Sequence, residues 1–226
     1  MGLTWPADLG AVVAEQQRIA LLRPSPWHRA ARPLTVAAVV AVHGGGAVGR
    51  RSPQGWGWAA AVLVTGEHIA GTRLVGGRLR APYVATLRAA REGSLLAAAV
   101  EGLPARPDVL LVAAAGRDHP RRAGLAVHLG AVLDLPSVGV TDRPLLADGT
   151  APGDRPGATS PLVLDGEEVA HWVRTRRGVR PIVAHAAWRT SADVAATVVL
   201  TCTSEVRTPL ALREARRLAR EARSRD

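Results

Sequence analysis

The order of apolar segments predicts an α/β fold: three antiparallel strands continued by parallel strands in one mixed sheet, flanked by helices. Three observations carry this. Short runs rich in Val and Ala suit strands, longer segments with apolar residues at helical spacing separate the later strands, and Gly- or Pro-containing stretches divide them all. At 226 residues and 47% hydrophobic content the chain can enclose a substantial core, and no shift in composition marks a second unit. A single domain over residues 1–226 is expected.

Each element has its own signal. Asp8 to Leu22 carries Leu9, Val12, Val13, Ile19 and Leu22 at helical spacing and stops at Arg23-Pro24-Ser25-Pro26. Strands follow over Leu34 to Val42, Trp56 to Val64 and His68 to Leu74. A Gly- and Arg-rich turn from His43 to Gln54 separates the first two, and Thr65-Gly66-Glu67 makes the last two a hairpin. Tyr83 to Val100 reads as a helix with a stripe of Leu87, Leu95, Leu96 and Val100, ended by Gly102-Leu103-Pro104.

A buried strand is expected at Val109 to Val112, a helix at Arg121 to Leu133 opened by His119-Pro120-Arg121-Arg122, and a strand at Ser137 to Val140. The order β-β-β-α-β-α-β is that of ribonuclease H-like folds, whose right-handed crossovers bring the ends of the first and fourth strands together. The Pro-, Gly- and Asp-rich stretch Arg143 to Pro161 reads as a mobile surface loop. Short strands at Leu162 to Leu164, Val169 to Arg174 and Pro181 to Val183 precede two helices, Ser191 to Leu200 and Pro209 to Ser224.

The formal charge of +10 favours a polyanionic partner, since basic side chains that displace phosphate counterions drive nucleic-acid binding. All 29 basic residues are Arg, and Lys, Asn and Phe are absent, so coding bias accounts for part of this pattern. Arg213, Arg216, Arg217, Arg220 and Arg223 make the last helix basic, with Glu214 and Glu221 placed to pair along its solvated face. The lone Cys202 forbids an intrachain disulfide and sits in an apolar run as a small hydrophobe. Met1 to Gln17 lacks a signal-peptide core, and no apolar stretch reaches the roughly eighteen residues needed to cross a bilayer. A monomeric cytoplasmic protein without a membrane partner is the expectation.

The sequence around two of these elements is specific. Pro82-Tyr83-Val84 is followed at fixed spacing by Arg91-Glu92, and then by Gly116, His119-Pro120-Arg121-Arg122, Gly124, His128, Gly130, Asp134, Pro136 and Gly139-Val140. This pattern resembles endonuclease V, without a gap from Pro82 to Glu92 and from Pro107 to Thr141, and more loosely over nearly the whole chain. The resemblance implies a ribonuclease H-like fold and cleavage of DNA or RNA one phosphodiester beyond hypoxanthine, with Mg²⁺ or Mn²⁺. Such hydrolysis needs a metal-activated water and a stabilised leaving oxygen, and hard divalent cations take carboxylate ligands.

The resemblance places three metal-ligand acids, and only one is present. Glu92 matches the helical Glu, whereas the first-strand Asp falls on Val39 and the fourth-strand Asp on Ala113. No acid occurs between Glu15 and Glu67, so no register of the first strand supplies one. A lysine position after the fifth strand falls on Asp142, and a late histidine position on Trp188. The metal site is therefore expected to be incomplete, with Glu92 its sole ligand and Mg²⁺ or Mn²⁺ held weakly or not at all.

The same resemblance implies nucleic-acid contacts. Tyr83, beside Pro82, corresponds to an aromatic wedge next to an extruded base, and His119 to a residue near the scissile phosphate. Arg121 and Arg122 are placed to meet phosphate on a helix first turn, and Gly116 and Gly124 to allow close packing. The catalytic candidates are Glu92 and His119, and the favoured reading is a nucleic-acid-binding relative with hydrolysis lost or strongly reduced. Two alternatives stand beside it: an active nuclease with a rearranged site drawn from Glu92, His119, Asp118 and His43, and an interaction protein using Trp56 and Trp58.

Overall fold

The computed structural model describes residues 5–6, 8–30, 32–44, 55–203 and 206–225. Its order is α1 (Leu9–Leu21), β1 (Thr35–His43), β2 (Trp56–Thr65), β3 (His68–Arg78), α2 (Arg88–Glu101), β4 (Val109–Val112), α3 (Leu125–Leu133), β5 (Ser137–Thr141), β6 (Thr159–Leu164), β7 (Glu167–Val173), β8 (Ile182–Ala186), α4 (Ala192–Thr201) and α5 (Leu210–Ser224). The eight strands form one sheet in the order β3-β2-β1-β4-β5-β8-β7-β6. β1, β2 and β3 are antiparallel neighbours, β1-β4 and β4-β5 are parallel, and β8, β7 and β6 continue antiparallel. The expected mixed sheet is thus present. Most of the turn expected between His43 and Gln54, residues 45–54, lies outside the described residues.

The central strands read as continuous apolar runs because both of their faces are covered. Along β1, Ala37 and Val39 enter a core shared with α1, α2 and α3, while Val36, Ala38 and Val40 enter a second core with α4 and α5. A smaller cluster of Ala147, Leu162, Val169, Trp172 and Val183 lies under the 145–164 segment. The stretch Arg143 to Pro161, expected as a mobile loop, already enters β6 at Thr159, and its Asp148 bridges to Val163.

Two helices start later than their apolar spacing suggests, for the same reason. Thr86 has φ of 67° and Arg122 has φ of 53°, both in the left-handed region that no helix interior contains. α2 therefore opens at Arg88 rather than near Tyr83, and α3 at Leu125 rather than at Arg121. Arg121 and Arg122 consequently belong to a turn before α3 and not to its first turn.

Part of the backbone at the N-terminus of α3 is also already used. Gly124 N–H donates to the Gly116 carbonyl at 3.0 Å, and Ala126 N–H donates to that of Ala115 at 3.2 Å. Two N–H groups of this helix end are thus committed to the chain leaving β4 and not to an anion. This approach requires glycine: a Cβ on Gly124 would lie 2.4 Å from the Ala115 oxygen.

Candidate functional site

The parallel pairing of β1 with β4 sets Val39, in the middle of β1, opposite Val112, so β4 ends beside Val39 with Ala113 just beyond. Val39 is buried and Ala113 half-buried, and both bring only methyl groups. α2 packs over this place and presents Glu92, which is fully buried. An isolated carboxylate there would be very costly, so it must be paired. His43 Nε2 donates to Glu92 Oε2 at 2.7 Å, and Arg88 donates through Nε at 2.8 Å to Oε1. Arg88 Nη2 also lies 2.6 Å from Oε1, and Nη1 donates to the Ala113 carbonyl at 3.2 Å. Burial pushes the Glu92 carboxyl upward, but the His43 hydrogen bond and the Arg88 charge outweigh it and hold the group below the ordinary carboxylate range.

Sequence reasoning named His43 and Glu92 but passed over Arg88. The signal was available, because Arg88 and Glu92 stand four residues apart on one helix and side chains at that spacing meet.

The other candidates go elsewhere. Asp118 is fully buried, and its oxygens accept from the backbone N–H groups of Leu145 at 2.6 Å, Leu146 at 2.8 Å and Ala147 at 2.9 Å. His119 accepts from Arg121 N–H at Nδ1 and donates from Nε2 to the Thr86 carbonyl at 3.0 Å. A ring that accepts at one nitrogen and donates at the other is neutral, and burial lowers its pKa to about 4. Arg121 reaches Gln16 Oε1 at 2.6 Å and Thr86 Oγ1 at 2.9 Å. Arg122 donates to the Leu164 carbonyl at 2.8 Å and to Asp165 at 3.0 Å. Both guanidinium groups thus brace the turn at Arg121-Arg122 against α1, the 83–87 segment and the β6–β7 connection.

His185 is a residue that sequence reasoning did not single out. Thr141 donates its hydroxyl proton to the Arg143 carbonyl, so His185 Nε2–H must donate to Thr141 Oγ1, at 2.7 Å. Burial holds this imidazole well below its ordinary pKa despite the nearby Asp118. Asp142, at the lysine position, pairs with Arg207 at 2.7 Å. Trp188, at the histidine position, is buried against Gly130. Trp58 is buried and Trp56 about half exposed, so the two do not form a joint surface. Burial raises the Cys202 thiol to about 12, which leaves it inert as a nucleophile.

These elements enclose a cavity of about 460 Å³, lined among others by Tyr83, Thr86, Arg88, His119, Thr141 and Leu145. Tyr83 stands at its mouth, 65% exposed, next to exposed Pro82. Thr86 keeps its left-handed backbone because its carbonyl accepts from both Gln16 and His119. Arg88 and Arg143 bring cationic donors to the lining, and its carboxylate, Asp142, is paired with Arg207. A grouping of Glu168, His171 and Asp193, whose ligand atoms lie within 4.8 Å of one another, stands on the opposite, α4-covered face of the sheet.

Comparison with known proteins fixes the family. The family model of Endonuclease V matches residues 31–217. The chain belongs to the Endonuclease V family. It is 40% identical over 146 residues to Endonuclease V of Streptomyces coelicolor, a match covering 65% of this chain and 63% of that protein. It is 40% identical over 169 residues to the Endonuclease V of Methanopyrus kandleri, covering 74% and 73%. The match thus spans less than two thirds of the Streptomyces relative's length. Among solved structures, Endonuclease V of Streptomyces avermitilis superposes with a TM-score of 0.84 at 29% identity, covering 98% of this chain and 95% of that one. Human ENDOV gives 0.81 at 26%, covering 96% and 99%. Ciona intestinalis Endonuclease V, solved with a 24mer DNA containing an inosine, shares the fold at 18% identity and a TM-score of 0.78, covering 96% and 97%. No helix among the described residues is long and apolar enough to cross a membrane.

Buried His119 and His185, together with Glu92, contribute to the acid response of this Endonuclease V fold. An unfolded histidine titrates near 6.5, whereas folded His119 titrates near 4. The unfolded chain therefore binds more protons between these values, and stability falls as pH is lowered through that window. Glu92, whose folded pKa lies below 4.5, removes further stability at lower pH. Thermal midpoints measured across pH are expected to be flat above about pH 7 and to decline steadily toward pH 4, with a shallower decline in His119→Gln.

Proposed function

We propose that this chain is a nucleic-acid-binding member of the Endonuclease V family in which strand hydrolysis is lost or strongly reduced. The observation that carries this reading is the state of Glu92. Both of its oxygens are taken by Arg88 and His43, while Val39 and Ala113 bring no side-chain oxygen beside it. Mg²⁺ and Mn²⁺ need several oxygen ligands, and a guanidinium against the sole carboxylate opposes a second positive charge. The residues present do not fit such an ion.

Binding rests on different residues. The cavity of about 460 Å³ has the size and the mixed apolar and polar lining of a pocket for a nucleobase, and Tyr83 at its mouth can stack where the base leaves its neighbours. The DNA-bound Ciona relative, the net charge of +10 and Arg88 and Arg143 on the cavity wall all support a DNA or RNA partner. A rearranged nuclease centre loses support because Asp118 and His119 spend their polar atoms on the 145–147 backbone, on Thr86 and on Arg121.

The test uses a single-stranded oligonucleotide containing inosine. Retention that weakens steeply with salt, and no nicking in Mn²⁺, is the expected result. Rapid Mn²⁺-dependent nicking that disappears in Glu92→Ala would overturn it.

A further inference from the structure

We propose that Arg88 is the resident cation of this site and binds a phosphate of the nucleic acid there, so that binding needs no divalent metal. The inference rests on the nucleic-acid-binding reading and adds to it the group that meets the phosphate.

Arg88 is positioned for this by both ends of its guanidinium. Nε and Nη2 are held on Glu92 Oε1, and Nη1 on the carbonyl of Ala113, so the group spans from α2 to the end of β4. It fills the space between the one remaining acid and the strand end that carries alanine. The side chain is 36% exposed and lines the cavity, so its charge is fixed but not sealed away. A guanidinium has five N–H groups, of which the three contacts commit three, leaving two for an incoming oxygen. Two N–H groups on a planar fork suit phosphate.

The surrounding charges agree. Glu92 and Arg88 cancel, the acid on the cavity wall, Asp142, is neutralised by Arg207, and Arg143 adds a further positive charge to the lining. An anion is favoured there and a dication is not. Ordering the guanidinium before binding also removes an entropic cost that a free arginine would meet.

The experiment measures binding of the full chain to the inosine-containing oligonucleotide by fluorescence anisotropy, in EDTA and in Mn²⁺, across a salt series. Equal affinity in the two conditions is expected. Because Arg88→Met alone leaves Glu92 unbalanced, the double variant Arg88→Met, Glu92→Gln is compared with Glu92→Gln after thermal melting shows both folded. The double variant should bind about tenfold more weakly, with a salt slope about one unit shallower, the scale of one lost phosphate contact. Equal binding by the two variants, or affinity that vanishes in EDTA, overturns the role of Arg88 while the nucleic-acid reading stands. So does stoichiometric Mn²⁺ binding by the natural chain that Glu92→Gln abolishes, read from the electron paramagnetic resonance of free Mn²⁺. No salt-sensitive retention in either condition overturns the nucleic-acid reading itself, and the role of Arg88 with it.

Discussion

Asparagine in place of Asp118 is expected to lower folding stability by about 3 kcal/mol, the scale of losing a charge-assisted hydrogen bond and leaving a buried donor unpaired. Asp118 receives three backbone N–H groups, from Leu145, Leu146 and Ala147. An amide keeps one acceptor oxygen and turns an NH₂ group toward at least one of these donors, so two donors face each other in a buried place. Neighbouring His119 keeps its own partners, Thr86 and Arg121, so the damage is concentrated on the 145–147 segment. Leu145 lines the cavity, and the same substitution should loosen that wall. Hydrogen exchange checks this: the amides of residues 145–147 are expected to lose protection well before those of β4 and β5. Uniform loss across the sheet, or no loss at residues 145–147, would contradict the assignment of Asp118 as their anchor.

Gly116→Ala should cost at least as much. A Cβ at this position would lie 2.1 Å from the Ala186 carbonyl oxygen and 3.1 Å from His185 Cβ. The obstructing oxygen is backbone and also accepts from Arg117 N–H at 2.8 Å, so it cannot step aside without breaking that bond. Overpacking against backbone is expected to cost about 3 kcal/mol or more, which for a chain of this size lowers the thermal midpoint by about 6–12 °C. Gly153→Ala is the matched control. Nothing lies within 4 Å of its added Cβ, and the change should be near neutral. A small effect at Gly116 would mean that the chain leaving β4 can move away from β8.

Much of the fold was legible because its signals are local. The apolar runs of β1, β2 and β4 are covered on both faces and bounded by turn residues, so periodicity and punctuation locate them to within a residue or two. β3 runs on to Arg78 past the expected Leu74 because Gly76 and Gly77 face the Trp58 and Leu95 side chains, a role for glycine that strand propensity cannot anticipate. The late starts of α2 and α3 were hidden in Thr86 and Arg122, whose left-handed backbone is imposed by distant partners.

The site divides in the same way. The apolar character of Val39 and Ala113, the positions that the resemblance gives to metal-ligand acids, is visible in the sequence itself. The ties of Asp118 to residues 145–147 and of His185 to Thr141 join segments far apart in the chain, and no spacing rule reaches them. Arg88 lies between these cases, since its helical spacing from Glu92 was readable but its contact with Ala113 was not.

The two-sided burial of β1 and β2 has a consequence for how a ribosome delivers this protein. One face of that Val- and Ala-rich pair is covered by α2, but the other waits for α5, which follows every strand in chain order and docks through Ala211, Leu212, Ala215 and Ala219. Until that helix emerges, the nascent hairpin keeps a broad greasy surface in water, a period in which chaperones, or other unfinished copies, have first claim on it.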